Sequence, residues 1–288
     1  MKRLLVTTGN GMFGRALIDQ LKGREDIALR VMVRDPAKFD VEADNIEVVV
    51  ADMDHPETLA EPTRDVTHVF LTSPMDDHIT ARETAVIDAC TANGTPHVID
   101  IYGAVKHQGD HLDSMHLAAI EHLKASGLPW TLVSPNSVME TSLLPFKTQL
   151  PNGSIVGMSG DGKVGFVALE DVARVIAAVV LGEGHESKNY ECTGPRAETM
   201  ADVVADFAAV LGLDLDYQDL SEADYSELLL EFGIFPDQES LETNVLCHLR
   251  AWKEGRAALV TDTVEQVTGQ APMSVSQWID SKREYFTS

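Results

Sequence analysis

Three glycines near the start of the chain carry the first chemical suggestion. Gly9, Gly11 and Gly14 spell G-x-G-x-x-G between the apolar run Leu4-Leu5-Val6 and a segment with Phe13, Ala16, Leu17 and Leu21 at helical spacing. A strand, a glycine turn and a helix start form the context in which this motif signifies dinucleotide binding. One glycine permits the tight turn, one lets the backbone approach a pyrophosphate, and one lets the helix pack on the strand. The amides of the helix's first turn then face the phosphates. Thr8, Gly9, Asn10, Gly11, Met12, Phe13 and Gly14 are therefore the expected diphosphate cradle. Such a triplet also occurs in turns that bind nothing, so the motif gains weight only from the residues downstream of it.

The next segment is a second β-rich run, Ile27 to Val33, ending in Arg34-Asp35-Pro36-Ala37-Lys38. In a dinucleotide fold the end of this strand meets the adenosine ribose. A carboxylate there binds the 2′-hydroxyl of NAD, and an arginine accommodates the 2′-phosphate of NADP. Arg34 and Lys38 favour NADP(H), and the adjacent Asp35 keeps NAD(H) open. Asp52 and Met53, after a third strand at Ile46 to Val50, are expected to flank the adenine. Thr72, Ser73 and Pro74 come after a fourth strand, Val66 to Leu71, at the carboxyl edge where such sheets bind ligands.

These side chains need a parallel sheet to hold them. Further strands are expected at His97 to Ile101 and Trp130 to Val133, with helices over Met12 to Leu21, Thr84 to Cys90 and Met115 to Ala125. The order reads as βαβαβ and then βαβαβ again, a doubly wound parallel (Rossmann) α/β fold. Beyond Asn136 the pattern changes. A turn at Gly160-Asp-Gly162, short strands at Val164 to Ala168, Asn189 to Cys192 and Leu213 to Tyr217, and helices at Glu170 to Leu181 and Met200 to Leu211 give way to helices at Glu222 to Phe232, Ser240 to Gly255 and Ser274 to Phe286. The expected organisation is a cofactor-binding core over 1–140 and a smaller, mostly helical lobe over 141–288, interleaved with the sheet edge in one compact unit. The cleft between them is the expected substrate pocket.

Composition narrows the function classes. The 288 residues carry a formal net charge of −24, which argues against direct contact with nucleic acid. No apolar run approaches the roughly 18 residues of a membrane helix. The chain starts directly in a strand, with no signal-peptide pattern. Cys90, Cys192 and Cys247 are far apart and lack metal-like spacing, so a cytoplasmic protein is expected. His107, His111, His116 and His122, with Asp110 and Asp113 between them, make a metal site conceivable. No glutamate-bearing motif or thiolate accompanies them, so the expectation is no metal and a polar loop leading into a helix.

Taken together, these stretches resemble the NmrA-like branch of the atypical short-chain dehydrogenases, which includes NADPH-dependent quinone and triphenylmethane-dye reductases and some non-catalytic redox sensors. The resemblance is carried by Val6-Thr-Thr-Gly9-Asn-Gly11-Met-Phe-Gly14, Val33-Arg34-Asp-Pro-Ala-Lys38 and Ala125-Ser-Gly-Leu-Pro-Trp-Thr-Leu-Val-Ser134-Pro135-Asn136. Gly160-Asp-Gly-Lys163, Ala168-Leu-Glu-Asp171-Val-Ala, Tyr190-Glu-Cys-Thr193-Gly194-Pro195 and Val267-Thr-Gly-Gln-Ala-Pro272 extend it almost end to end. It implies that Pro135, Asn136 and Ser137 line the nicotinamide ribose and carboxamide, with Ser73 and Pro74 beneath.

The departures bear on catalysis. Thr8 stands where the family commonly has the first glycine of Thr-Gly-Ala-Thr-Gly, and Ser134 where an arginine is usual. Tyr102-Gly-Ala-Val-Lys106 spells the Y-x-x-x-K of typical short-chain dehydrogenases, but in the loop after the fifth strand rather than on the following helix. The family's strand-end serines correspond to Asp100 and Ile101. A nicotinamide supplies the reducing chemistry itself, so what the protein must add is a proton donor, for which Tyr102, His116 and Asp100 are candidates. Tyr102 comes first, as general acid or as a lid packing on the cofactor.

The function implied is an NADPH-dependent oxidoreductase acting on a small quinone-, dye- or carbonyl-like acceptor, as a monomer or homodimer. The alternatives are an NADP(H)-binding redox sensor without turnover and, less favoured, a sugar epimerase or dehydratase. Leu143, Leu144, Phe146, Phe232, Phe235 and Trp252 suggest an aromatic or apolar ligand, or core packing.

Overall fold

The computed structural model describes residues 1–74, 76–103 and 111–288, except the side chains of 111 and 112. In chain order the elements are β1 (Lys2–Val6), α1 (Met12–Leu21), β2 (Ile27–Val33), β3 (Ile46–Val50), β4 (His68–Leu71), α2 (Ile79–Asn93), β5 (His97–Ile101), α3 (His111–Ala125) and β6 (Trp130–Pro135). Then come β7 (Ser137–Val138), α4 (Met139–Leu143), β8 (Ser154–Gly157), β9 (Phe166–Val167), α5 (Leu169–Leu181), β10 (Lys188–Cys192), α6 (Met200–Leu211) and β11 (Asp216–Asp219). The remainder is helical: α7 (Glu222–Glu231), α8 (Gln238–Leu241), a π-helical turn (Glu242–Leu246), α9 (Cys247–Lys253), α10 (Thr263–Thr268), α11 (Val275–Ser281) and α12 (Arg283–Thr287).

Among the described residues, seven strands form one sheet in the order β10-β6-β5-β4-β1-β2-β3. The order reverses direction between β1 and β4, where a doubly wound sheet opens its ligand crevice. β1 runs parallel to both β2 and β4, and β4 parallel to β5: Leu4 faces His68 and Leu29, and Leu71 faces Asp100. Leu4–Val6 of β1, Val69–Leu71 of β4 and all of β5 are buried, as strands covered on both faces must be.

The connections depart from the expected alternation. β2 and β3 are joined through a single 3₁₀ turn, Pro36–Lys38, and β3 and β4 through another, Pro56–Thr58. Prolines and acidic residues keep these segments from extending into helices. In place of a helix, the buried Arg30 of β2 anchors the second connection. Its guanidinium donates to the carbonyls of Pro62 (3.1 Å) and Arg64 (2.7 Å) and pairs with Glu47 at 2.9 Å. β3 is thus an edge strand with little covering it, and Val48 and Val50 are 41% and 62% exposed.

The chain divides into two units. Among the described residues the first comprises 1–74, 76–103, 111–134 and Val172–Tyr190, so most of α5 returns to it after an excursion. Its core includes Leu5, Val69, Leu71, Val86, Ile87, Val98 and Leu123. The second comprises Pro135–Asp171 and Glu191–Ser288. Its core is built on Phe166, Phe207, Trp252, Trp278 and Phe286. Leu143 and Phe146 are buried in that core with Trp252, and Leu144 packs against it; Phe235 packs on a smaller cluster, and Phe232 is 71% exposed. This unit holds two parallel ribbons, β7 with β9 and β8 with β11; the strands expected at Val164 to Ala168 and Leu213 to Tyr217 correspond to β9 and β11, and their partners β7 and β8 were not expected. β7 and β8, of two and four residues, are too short to leave a periodic signal.

At the amino end of the sheet, burial pushes the His68 imidazole down to about 4. The folded chain keeps it neutral where the unfolded chain, titrating near 6.5, takes up a proton. This contribution is present above pH 6.5 and is lost as pH falls toward 4. His68→Gln is therefore expected to lose less melting temperature than the wild type between pH 7 and pH 4, measured by circular dichroism.

Candidate functional site

The glycine turn sits where β1 meets α1, and its geometry explains its composition. None of the three glycines has a positive φ, so the turn does not require them for a left-handed backbone. Proximity requires them instead. A Cβ on Gly9 would lie 2.2 Å from Val31 Cγ1, and one on Gly14 would lie 2.0 Å from the Thr8 carbonyl oxygen. Gly9 N–H donates to Met32 O (3.0 Å) and Gly11 N–H to Thr8 O (2.9 Å), which fastens the turn to β2 and closes it on itself. Gly11 is the N-cap of α1, and no side chain caps that end. The free amides of the first turn are a ready site for an anion.

These amides open onto a groove of about 740 Å³ in the first unit. Of the residues singled out from the sequence, Thr8, Gly9, Asn10, Gly11, Met12, Phe13, Arg34, Lys38, Asp52, Met53, Thr72, Ser73 and Pro74 line it. Gly14 does not. It lies one turn into α1 and serves the contact between helix and turn. The walls are tied together by buried Thr7, whose hydroxyl donates to Thr72 O (2.9 Å) and accepts from Thr72 N–H (3.1 Å).

At the far end Arg34 and Lys38 are exposed on the rim. Lys38 stands 3.6 Å from Asp35, whose carboxylate caps the 3₁₀ turn by accepting from Ala37 N–H. Among the described residues Arg34 is paired with no carboxylate. Asp52 accepts from Asp54 N–H and so shapes the loop beside Met53.

Arg82 of α2 also lines the groove and was missed from the sequence. It is nearly buried and chelates two carboxylates, Asp54 at 2.6 Å and Asp76 at 2.8 Å. Its guanidinium holds both carboxyls below their usual range. The expected helix began only at Thr84, which hid Arg82; the helix begins at Ile79.

The remaining candidates lie elsewhere. Tyr102 comes after β5 in the first unit and does not line the groove; its hydroxyl donates to the buried Asp113 carboxylate at 2.6 Å, and its ring stands edge-on to His116 at 5.9 Å. His116 is buried on α3. Pro135, Asn136 and Ser137 belong to the second unit. There Asn136 Nδ2 donates to Ala257 O, and buried Ser137 accepts from the Trp252 indole N–H at 3.0 Å. Lys106, His107 and Asp110 lie outside the described residues, as does the side chain of His111. Among the described residues no group of three metal-ligating side chains comes together.

Two further carboxyls sit behind the groove. Glu83 of α2 and Asp100 of β5 are each 1% exposed. Ser73 Oγ donates to Glu83 Oε1 at 2.9 Å. Among the described residues Glu83 Oε2 and Asp100 Oδ1 have no hydrogen-bond partner. Burial pushes Glu83 up to about 7, and burial with the charge of Glu83 pushes Asp100 well above the usual carboxylate range. Asp100 was a sequence candidate. Glu83 was not, although it occupies a core position of its helix, between Ile79 and Val86-Ile87.

A parallel sheet with a switch point, an uncapped helix start and a glycine turn with no room for side chains define a dinucleotide-binding Rossmann protein. The chain belongs to the NAD(P)H-binding family, whose model matches residues 9–182. It is 27% identical to the (4-alkanoyl-5-oxo-2,5-dihydrofuran-3-yl)methyl phosphate reductase of Streptomyces griseus, over 98% of this chain and 99% of that one. It is 25% identical to the NAD(P)H azoreductase of Xenophilus azovorans, over 96% of each. The NADPH-dependent quinone oxidoreductase of Escherichia coli, solved with NADPH, superposes with a TM-score of 0.86 at 23% identity, over 99% of this chain and 100% of that one. The resemblance to the NmrA-like quinone and dye reductases agrees with these relatives. Gly14→Ala is expected to lower stability by about 1–3 kcal/mol, the usual cost of overpacking, and to weaken cofactor binding with it; urea denaturation and calorimetric titration measure the two.

Proposed function

We propose that the protein is an NADPH-dependent reductase that delivers hydride to a small quinone-, dye- or carbonyl-like acceptor. The observation that carries this reading is the groove, with open helix amides at one end and an uncommitted arginine at the other. The amides over Asn10 to Phe13 bind the diphosphate. Asp52 and Met53 flank the adenine, and Thr72, Ser73 and Pro74 form the floor on the nicotinamide side. Arg34, with Lys38 beside it, receives the 2′-phosphate as a charge-assisted pair.

When bound, the nicotinamide supplies two electrons and a hydrogen as hydride. The chain's own residues bind, orient and supply what hydride transfer leaves outstanding, which for a neutral acceptor is one proton. Tyr102 donates to Asp113 rather than standing in the groove, which argues for a positioning role over that of general acid. The named relatives reduce a butenolide phosphate, azo compounds and quinones. These acceptors share an electron-poor conjugated system, and we take that as the substrate class.

No helix among the described residues is long and apolar enough to cross a membrane, and Cys90, Cys192 and Cys247 form no disulfide. Cysteines kept as thiols support a cytoplasmic location.

The decisive experiment is oxidation of NADPH by the purified protein across a panel of quinones and azo compounds. A sensor would gain thermal stability from NADPH and consume none. Within this reading Arg34→Ala is expected to raise the Kd for NADPH about tenfold to a hundredfold, the loss of a charge-assisted hydrogen bond. The Kd for NADH is expected to stay within about twofold, both by fluorescence titration.

A further inference from the structure

Buried carboxyls without partners call for an explanation, because an ionised carboxylate out of water is costly unless it is paired. Among the described residues, Glu83 and Asp100 have neither a cation nor a full set of donors. Ser73, which lines the groove, reaches back to this pair through its 2.9 Å contact with Glu83. The β4–β5 register sets Asp100 opposite Leu71, two residues before that serine.

We propose that Glu83 and Asp100 together hold one proton behind the groove wall, and that the Ser73 hydroxyl passes it to the acceptor during reduction. This rests on the reductase reading above. Two buried carboxyls of which one feels the other's charge cannot both ionise cheaply, so one stays protonated at neutral pH. Both groups are pushed in the same direction. Other titratable groups on α2 and α3 have partners of their own, as His122 does in Asp88. Arg82 is bound to Asp54 and Asp76, Asp113 accepts from Tyr102, and the Cys90 thiol is pushed up to about 12. His116 lies buried on α3 beside Tyr102. The shift of Asp100 arises from burial, Glu83 and the Ile101 backbone, and that of Glu83 from burial and Ser73.

The balance is simple. A quinone takes up hydride from the reduced cofactor, becoming a hydroquinone monoanion. Ser73 O–H breaks toward the anionic oxygen while the Glu83 O–H proton moves to Ser73 Oγ. The product is the neutral hydroquinone, and the carboxyl pair is left doubly ionised. That state is the one burial disfavours, so water in the groove returns a proton. A cationic triarylmethane dye differs, because hydride alone neutralises it and no proton is taken up. Ser73 would touch the acceptor and act as a catalytic residue, with Glu83 and Asp100 acting through it.

Two measurements test this. The first compares turnover with a benzoquinone and with a cationic triarylmethane dye. Glu83→Gln and Ser73→Ala are each expected to lower the quinone-to-dye ratio about a hundredfold, the low end of what a general acid contributes. The second needs no cofactor. A carboxyl with a raised folded pKa stabilises below its unfolded value and loses that contribution as pH rises through the folded value. The wild type is therefore expected to lose more melting temperature from pH 5 to pH 8 than the Glu83→Gln/Asp100→Asn double variant. It should also show, at pH 7, the infrared carbonyl band of a neutral carboxylic acid, absent from the double variant. Equal pH dependence and an unchanged band would overturn the stored proton. An unchanged ratio would overturn its delivery. Absence of NADPH oxidation with either acceptor would overturn the reductase reading, and delivery with it, while the melting and infrared data would still decide whether the pair holds a proton.

Discussion

The site depends on one steric constraint, the pressing of the Gly9–Gly14 turn against its own backbone and against β2. With hydrogen atoms in place of side chains at Gly9 and Gly14, Val31 and the Thr8 carbonyl come within what would otherwise be bonding overlap. That closeness sets α1 immediately after β1 and leaves its amides pointing outward without a capping side chain. Every other groove residue is then placed by the sheet. β2 delivers Arg34 to the rim, β3 delivers Asp52 and Met53, and β4 delivers Thr72 to Pro74 across the gap that Thr7 bridges. The chemistry is borrowed from a cofactor; the positions come from the packing.

Much of this was legible in the chain itself, for identifiable reasons. Strands buried on both faces, such as Leu4 to Val6 and His97 to Ile101, read as short apolar runs, and the helix expected over Met200 to Leu211 has the bounds of α6. The groove residues are readable because each sits directly after a strand, where the carboxyl edge must be. What could not be read was settled by contacts distant in sequence. Arg30, lying in an otherwise apolar strand, gives no hint that it holds the 51–67 connection through main-chain carbonyls. Asn136 and Ser137 were singled out by the family resemblance, and nothing near them in sequence tells that their side chains hydrogen-bond Ala257 and Trp252, more than a hundred residues on. Glu83 left a trace, a carboxylate in an apolar stripe, but its meaning depends on Asp100 from another element.

The contrast between the two sets of carboxylates in the first unit is instructive. Asp54 and Asp76 remain near the surface and are satisfied by Arg82, so their ionisation costs little. Glu83 and Asp100 lie deep with no such cation. The same residue type thus acts as a structural anion in one place and as a poised acid in the other, and the difference lies wholly in solvation and in what faces it.

The bare rim of β3 has a consequence for how the molecule behaves in a crowd. An open row of peptide groups flanked by Val48 and Val50 is a template on which a second polypeptide can lay a strand. No proline or lysine within Ile46–Val50 blunts it, and its one charge, Glu47, is partly neutralised by Arg30. The deterrent has to come from the whole surface, whose net −24 makes like molecules repel before such edges can meet. Colloidal stability in this protein is therefore a property of the ionic medium as much as of the fold, strongest in dilute electrolyte and eroded as added salt shortens the reach of that repulsion.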